Sequence, residues 1–477
     1  MPESAKPSYE VPFEVRSVTY DDALAILHSA LHFGIQPMLE SVEDMLEELG
    51  RPDSRYACLQ IAGTNGKTST ARYAAAILAG EGLSTALYTS PELVSYTERM
   101  EVGGNPVSEG AFAHGIAAAE LAGRRVNRRR QAAGERPYDI TEFDLLTVAA
   151  TVVYAEAGVD VAVLECGMGG RWDATSAVSS IRAVGVTGVG LDHTRILGDT
   201  LEKISAEKAA IIQAGRTCVL GVGTATPDSV EDVFLGRCEG EGVVPTLLRP
   251  VSLADAPGEM HPGEPRSHPD LPHASYVVTH HPTRLGDELV LDVTTPLATY
   301  AGLSCAKPIY QATNVACAVA LAETFLGRPL DAGALRTSVA ACPTPGRFDV
   351  LSGAGEPLVM MDAAHNPQSI ATFLSAVREV ERDVAHRPQL LCAILADKDC
   401  AGIVHLLAHE FPRVSVCRTD SSRALAPGEL ADLFRAEGVE PADVWPDVPT
   451  AVAGLAGRSY VAVGSITLAG AVAKELR

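Results

Sequence analysis

Positive charge is the first thing this 477-residue chain lacks: 38 lysines and arginines stand against 60 aspartates and glutamates, a formal net charge of −22. A field of that sign repels nucleic-acid backbones, so no nucleic-acid partner is expected. It does not exclude a single bound phosphate group, which a nest of backbone N–H groups and one lysine can hold in an acidic protein. Missing too is any uninterrupted apolar run of about 18 residues, so no membrane span is expected. The opening residues, MPESAKPSYE, lack the basic segment and apolar stretch of a secretory leader. The ten cysteines include no Cys-x-x-Cys pair. They read as free thiols in a reducing compartment, and a cytoplasmic location follows.

What the chain has is material for sizeable cores: 47% of its residues are hydrophobic and 21% charged, which sets it apart from disordered chains. The length suits roughly two to four domains. Helical periodicity runs through 19–49. Tyr56 to Ala62 reads as a buried strand entering a glycine-rich turn, followed by a helix over 70–79. Further strands are predicted at 159–164, 181–189 and 288–294, and helices at 200–213 and 311–325. Residues 252–275, rich in Pro, Gly, His and acids, read as a loop insertion. Cys342-Pro343-Thr344-Pro345-Gly346 suits a hinge, which places one domain at 1–344 and a smaller α/β domain at 345–477. In the latter, strands are predicted near 357–361, 390–395, 414–417 and 460–463 and helices at 368–382, 401–409, 427–436 and 448–456.

The strongest motif is Gly63-Thr64-Asn65-Gly66-Lys67-Thr68, lying between a strand and a helix. It is shorter than the usual phosphate loop, with Ile61 where the first glycine would stand. The physical parts remain: glycines that permit a tight turn, backbone N–H groups to face phosphate oxygens, Lys67 to neutralise terminal phosphates, and the Thr68 hydroxyl to reach Mg²⁺. A second constellation is Glu165-Cys166-Gly167-Met168-Gly169-Gly170-Arg171-Trp172-Asp173. Glu165 at a strand end is a hard oxygen ligand suited to Mg²⁺. Arg171 and Asp173 are placed to position substrate or to hold the loop by an ion pair. His193 ends a third apolar stretch beside Asp192, and a lone histidine there suits a surface role as readily as a metal. By composition alone, Lys208 is a lysine whose stem lies along an apolar helix face.

Together these residues resemble the folylpolyglutamate synthase and dihydrofolate synthase family, within the wider Mur ligase group. The likeness runs from Leu31-His32-Phe33-Gly34-Ile35 through the phosphate loop, Glu165-x-Gly-x-Gly-Gly-Arg-x-Asp, Leu191-Asp192-His193, Glu207-Lys208-Ala209 and Gln311-x-x-Asn314. It continues through Pro345-Gly346-Arg347, Asp362-Ala363-Ala364-His365-Asn366-Pro367 and Asp397-Lys398-Asp399 to Val463-Gly464-Ser465. The resemblance implies an α/β chain: an N-terminal P-loop ATPase domain with a largely parallel central sheet, and a smaller Rossmann-like C-terminal domain closing over a cleft. It implies ATP and two Mg²⁺ ions, one served by Thr68, Ser90 and Glu165, the other by His193 and a carbamylated Lys208. It assigns Asn314 to the nucleotide base. Arg347, Asp362 and His365 become candidates for organising nucleotide or incoming amine on closure. The implied reaction joins L-glutamate to a folate-type carboxylate, dihydropteroate or tetrahydrofolate, through an acyl phosphate, in a monomer.

Three positions depart from the family pattern. Glu92 stands where histidine is common, Tyr310 replaces a histidine before Gln311, and Trp172 replaces a smaller aliphatic residue. Glu92 brings a carboxylate close to the expected substrate cleft, which suits a different carboxylic acid and amino acid as readily as a family variation. A non-enzymatic ATP-binding regulator would need Lys67 and Thr68, but not Glu165, His193 and Lys208 as well.

Overall fold

A computed structural model describes residues 9–30, 38–256, 264–351 and 357–476. Strands β1 (Ala57–Ala62), β2 (Thr85–Tyr88), β3 (Met100–Val102), β4 (Asn105–Pro106), β5 (Val161–Glu165), β6 (Ile181–Gly188), β7 (Thr217–Gly223), β8 (Pro245–Pro250), β9 (His273–His280), β10 (Leu289–Thr294) and β11 (Thr299–Cys305) form one sheet. Its order is β11-β10-β9-β8-β7-β6-β1-β5-β2-β3-β4. From β9 to β2 the neighbours are all parallel, and antiparallel strands extend both edges. A parallel sheet covered on both faces needs strands that are apolar throughout, and β5 (Val-Ala-Val-Leu-Glu) is buried at every position.

The period-two rule divides β1 between two cores. Leu59 and Ile61 join a cluster with the helices Lys67–Gly80 and Gln311–Leu326. Cys58 and Ala62 face the other cluster, with the helices Glu109–Ala132 and Glu142–Glu156. Residues Gln311 to Glu323 are all buried, so that helix carries no solvent face. Between these two faces, β1, β5 and β6 run parallel and deliver their C-terminal ends to one edge.

A second sheet is built from β12 (Asp349–Val350), β13 (Val359–Met361), β14 (Gln389–Cys392), β15 (Val414–Val416), β16 (Asp443–Val444) and β17 (Tyr460–Val463), in the order β12-β13-β17-β14-β15-β16. Among the described residues, the β12–β13 pair alone of these strand pairs is antiparallel. Helix Pro367–Val380 starts on an Asn366–Ser369 capping box with proline at its first turn.

The predicted helical stretch 19–49 resolves into two helices, Tyr20–Ser29 and Glu40–Glu48. The first is started by a Thr19–Asp22 capping box. Leu31 to Ile35, where the family likeness begins, lie outside the described residues. The helix expected over 200–213 ends at Ala209, because Ile211 and Ile212 turn into the core instead of continuing the helical face. Within 252–275, Leu253–Asp255 form a short 3-10 turn and 257–263 lie outside the described residues. His273 already belongs to β9, whose Ala274, Tyr276 and Val278 point inward. Among the described residues, no helix is long and apolar enough to cross a membrane.

Candidate active site

The phosphate loop leaves β1 at Ala62 and enters a helix at Lys67. Gly66 takes φ +79°, and a Cβ there would lie 2.3 Å from Asn314 Oδ1. A Cβ on Gly63 would lie 1.9 Å from Thr187 Oγ1. The loop is therefore packed from behind by two side chains that leave room for hydrogen only. Thr187 donates to Asn65 O at 2.6 Å, and Thr64 N donates to Gly188 O at 2.9 Å. These bonds fix the loop to the end of β6. Asn314 donates to Gln311 Oε1 at 2.9 Å and accepts from Thr70 Oγ1 at 3.4 Å, while Gln311 donates to Ser69 Oγ at 3.2 Å. Asn314 is buried behind the loop, so its observed partners are protein groups of the loop helix and its own helix.

Two lysines converge on one carbonyl. Lys67 Nζ donates to Gly63 O and Thr64 O, both at 3.1 Å, and Lys208 Nζ donates to Gly63 O at 2.7 Å. Lys208 is buried, and burial, aided by the charge of Lys67, pushes its ammonium down to about 7. Its helix, Leu201–Ala209, is capped by Thr200 and packs close to the glycines after β5: a Cβ on Gly170 would lie 3.0 Å from Glu207 O.

Glu165 ends β5 beside the loop. It accepts from Thr68 Oγ1 at 2.9 Å and from Ser90 N at 3.4 Å. Burial pushes its carboxyl up, against the opposing pull of Lys67, the Thr68 bond and Arg347. Among the described residues no three His, Cys, Asp or Glu side chains converge as a metal cage. The donor chemistry at Thr68, Ser90 and Glu165 is nonetheless all oxygen, with a single carboxylate. That matches a Mg²⁺ ion that takes the rest of its shell from phosphates and water.

His193 holds a left-handed backbone (φ +48°), an uncommon conformation for a residue with a side chain. Its backbone N–H donates to Asp192 Oδ1 at 2.8 Å, and its ring is about half exposed, with Nε2 3.6 Å from Asp192 Oδ2. Partial desolvation lowers its pKa, and the charges of Lys67 and Lys208 push the same way against Asp192.

Arg171 and Asp173 hold the glycine turn. Arg171 Nε donates to Glu207 Oε1 at 2.9 Å, tying the turn to the Lys208 helix. Asp173 is buried and accepts from Met168 N at 2.9 Å, Thr175 N at 3.1 Å and Thr175 Oγ1 at 2.5 Å. Arg171 thus ties the loop down by an ion pair with Glu207, and Asp173 holds it by hydrogen bonds.

Across a cleft from Thr68 lies the chain between the sheets. Phe348 N and Ala364 N donate to Asp362 at 2.8 and 2.9 Å, and Lys307 Nζ donates to Arg347 O at 3.4 Å and Phe348 O at 3.2 Å. The cleft is bounded by Thr68, Arg72, Glu92, Leu93, Arg347 and Ile466 among others. His365 Nδ1 donates to Ala363 O at 2.9 Å, which leaves Nε2 as the acceptor, and burial lowers the pKa of the ring. Glu92 is paired with Arg99. Tyr310 packs against the core of the second sheet, and the Trp172 side chain is exposed.

Sequence reasoning did not find Thr187, Arg99 or Lys307. Thr187 had a signal, since it falls at the end of a strand in register with β1. Arg99 and Lys307 had none, because their partners are set by tertiary packing.

A strand, a phosphate loop and a carboxylate at the end of the neighbouring strand, facing a second α/β sheet, are the parts of a nucleotide-dependent enzyme, and the matching family models make its class a ligase of the Mur type. Family models agree in the parts they match: the Mur ligase middle domain over residues 61–222 and the Mur ligase glutamate ligase domain over 346–465. The dihydrofolate synthase/folylpolyglutamate synthase of Mycobacterium tuberculosis is 33% identical over 407 residues, covering 83% of this chain and 77% of that protein. The chain belongs to the folylpolyglutamate synthase/dihydrofolate synthase family. A probable bifunctional folylpolyglutamate synthase/dihydropteroate synthase of Haloferax volcanii is 35% identical over 416 residues, covering 87% of this chain but 45% of that longer protein. The crystal structure of M. tuberculosis folylpolyglutamate synthase complexed with ADP and AMPPCP superposes with a TM-score of 0.77 at 28% identity, covering 95% of this chain and 97% of that one.

Proposed function

We propose that this chain joins L-glutamate to a folate-type carboxylate, dihydropteroate, tetrahydrofolate or both, at the expense of ATP. The observation that carries the reading is the junction at Gly63 and Glu165, where the phosphate loop, two lysines and an oxygen-donor set meet beside the inter-sheet cleft. Family membership supplies the substrate class.

In the proposed reaction the acceptor carboxylate attacks the γ-phosphorus of ATP, giving an acyl phosphate and ADP. The glutamate amine attacks the acyl carbon, and the tetrahedral intermediate collapses to amide and phosphate. Activation is needed because a carboxylate is a poor electrophile with a poor leaving group. Lys67 serves the transferred phosphoryl group, whose charge is spread over three oxygens in the transition state. Arg347, at the opposite wall of the cleft, adds a cation when the two halves, 1–344 and 345–477, close and exclude water. His365, uncharged near neutrality, and Asp362, which holds the linker backbone, shape that closure.

Thr68, Ser90 and Glu165 would hold one Mg²⁺ ion, and His193 with a carbamylated Lys208 a second; the ions supply charge neutralisation on the phosphates. Carbamylation requires a neutral amine, and the low pKa of Lys208 supports it. The reading includes a cytoplasmic monomer with small-molecule substrates.

The test is ADP release by purified protein with ATP, Mg²⁺ and L-glutamate, comparing dihydropteroate, tetrahydrofolate and no acceptor, with products identified by mass. One glutamate added to dihydropteroate establishes dihydrofolate synthesis, and serial addition to tetrahydrofolate establishes tail extension. Acceptor-independent ADP release, or no product with either acceptor, contradicts the reading.

A further inference from the structure

We infer that Glu92 is the residue that receives the α-ammonium of the incoming amino acid, seated in the cleft in front of Thr68. The inference rests on the reaction proposed above. Arg347 brings a cation to the cleft wall, and Lys67 stands next to Thr68 with its ammonium at the Gly63 carbonyl. An amino acid approaching with its ammonium meets repulsion there unless a carboxylate is open to it.

Two carboxylates line this cleft, Glu92 and Glu98, and two more, Glu165 and Glu101, lie behind it. Glu165 is buried and accepts from Thr68 and Ser90. Glu98 accepts from the backbone N–H groups of Leu93, Val94 and Ser95 at 2.8, 3.1 and 3.3 Å. Glu101, behind the cleft, is paired with Arg72 at 2.7 Å. Glu92 uses Oε2 for Arg99, and its Oε1 has no partner among the described residues; the side chain is 21% exposed and lines the cleft.

Arg99 holds that carboxylate in place from behind. Its guanidinium lies 5.1 Å from the centroid of the Tyr96 ring, and its side chain is 12% exposed. An anchored carboxylate with one oxygen open is a receptor for a cation. The floor of the same cleft is Thr68, on the phosphate loop, so an amine held by Glu92 waits beside the place where the acyl phosphate forms. Glu92 is thus a specificity residue for an amine-bearing substrate.

The experiment uses the full chain with ATP, Mg²⁺ and the productive folate acceptor, and compares wild type with Glu92→Gln and Glu92→Asp. It measures KM for L-glutamate, KM for ATP and acceptor, and the inhibition constant of glutarate, which lacks the amine. Loss of a charge-assisted hydrogen bond predicts that Glu92→Gln raises the glutamate KM about tenfold or more. The preference for glutamate over glutarate should fall by the same factor, the other KM values should move far less, and Glu92→Asp should restore part of the preference. An unchanged glutamate-to-glutarate ratio overturns the inference, as does an equal rise in every KM, which would mark a loosened loop. Wild type that forms no glutamate product overturns the reaction itself and this inference with it. An active wild type with an indifferent Glu92→Gln overturns this inference alone.

Discussion

The phosphate loop and the 89–99 loop face the same cleft but are held in shape by different means. The phosphate loop is fixed through its backbone. Glycines admit Thr187 and Asn314 to within hydrogen-only distance, and its N- and C-terminal neighbours are a buried strand and a buried helix. The 89–99 segment is fixed through carboxylates: Glu98 gathers three backbone N–H groups, and Glu92 is clamped by Arg99. Shape held by backbone sterics fails abruptly when a Cβ is added. Shape held by exchangeable polar bonds fails by degrees.

The predictions sharpen that contrast. Lys67→Ala should have the largest effect, lowering kcat about 10²–10³-fold, the cost of removing a preorganised group that meets transition-state charge. An unaltered melting temperature beside the lost ADP release would assign that loss to chemistry and not to folding. Gly66→Ala should follow, because its Cβ must displace Asn314 and sit at positive φ. An ångström of misplacement can cost about 10²-fold in rate. Glu165→Ala should weaken the Mg²⁺ dependence of turnover, read from ADP release across a magnesium titration, and an unchanged dependence would remove Glu165 from metal binding.

Lys208 gives a pH test. Its ammonium is held down to about 7, so the neutral amine gains population as pH rises through that value. Uptake of ¹³C-labelled bicarbonate, followed by NMR and intact mass, should increase from pH 6 to pH 8 and vanish in Lys208→Met. The same shift acts on stability. The folded state holds the proton less tightly than the unfolded chain, so this lysine's penalty is fully present below about 7 and is relieved as pH climbs toward the ordinary lysine range. The smallest effect is expected from Glu98→Gln. It weakens the capping bonds to Leu93, Val94 and Ser95 at a cost of about 1 kcal/mol, read as a small drop in melting temperature.

The contrast also explains what was legible in the sequence. The strand, glycine turn and helix around Lys67 are local in the chain, and so is a carboxylate that closes an apolar run at Glu165. Pattern alone placed both. Helix Gln311–Leu326 was visible as an apolar stretch, but its position against the phosphate loop was not, since a helix buried on all sides has no face to read. Arg171 and Asp173 were visible as charged residues in a glycine turn. Their partners, Glu207 and Thr175, depend on how the turn folds onto the Lys208 helix. Glu92 was legible as a departure from the family pattern, a carboxylate where histidine is common, but its counterion, Arg99, was not, since it lies beyond a turn that no periodicity announces. Strands β2, β7 and β8 escaped notice for a related reason: each is a short apolar run, and such runs do not distinguish strand from buried helix.

The most direct test of the account labels the acceptor carboxylate with ¹⁸O and follows the label through one turnover with ATP and L-glutamate. Passage through an acyl phosphate predicts that one labelled oxygen leaves with the inorganic phosphate. Unlabelled phosphate, with amide product still formed, would contradict the proposed chemistry at Lys67 and Glu165.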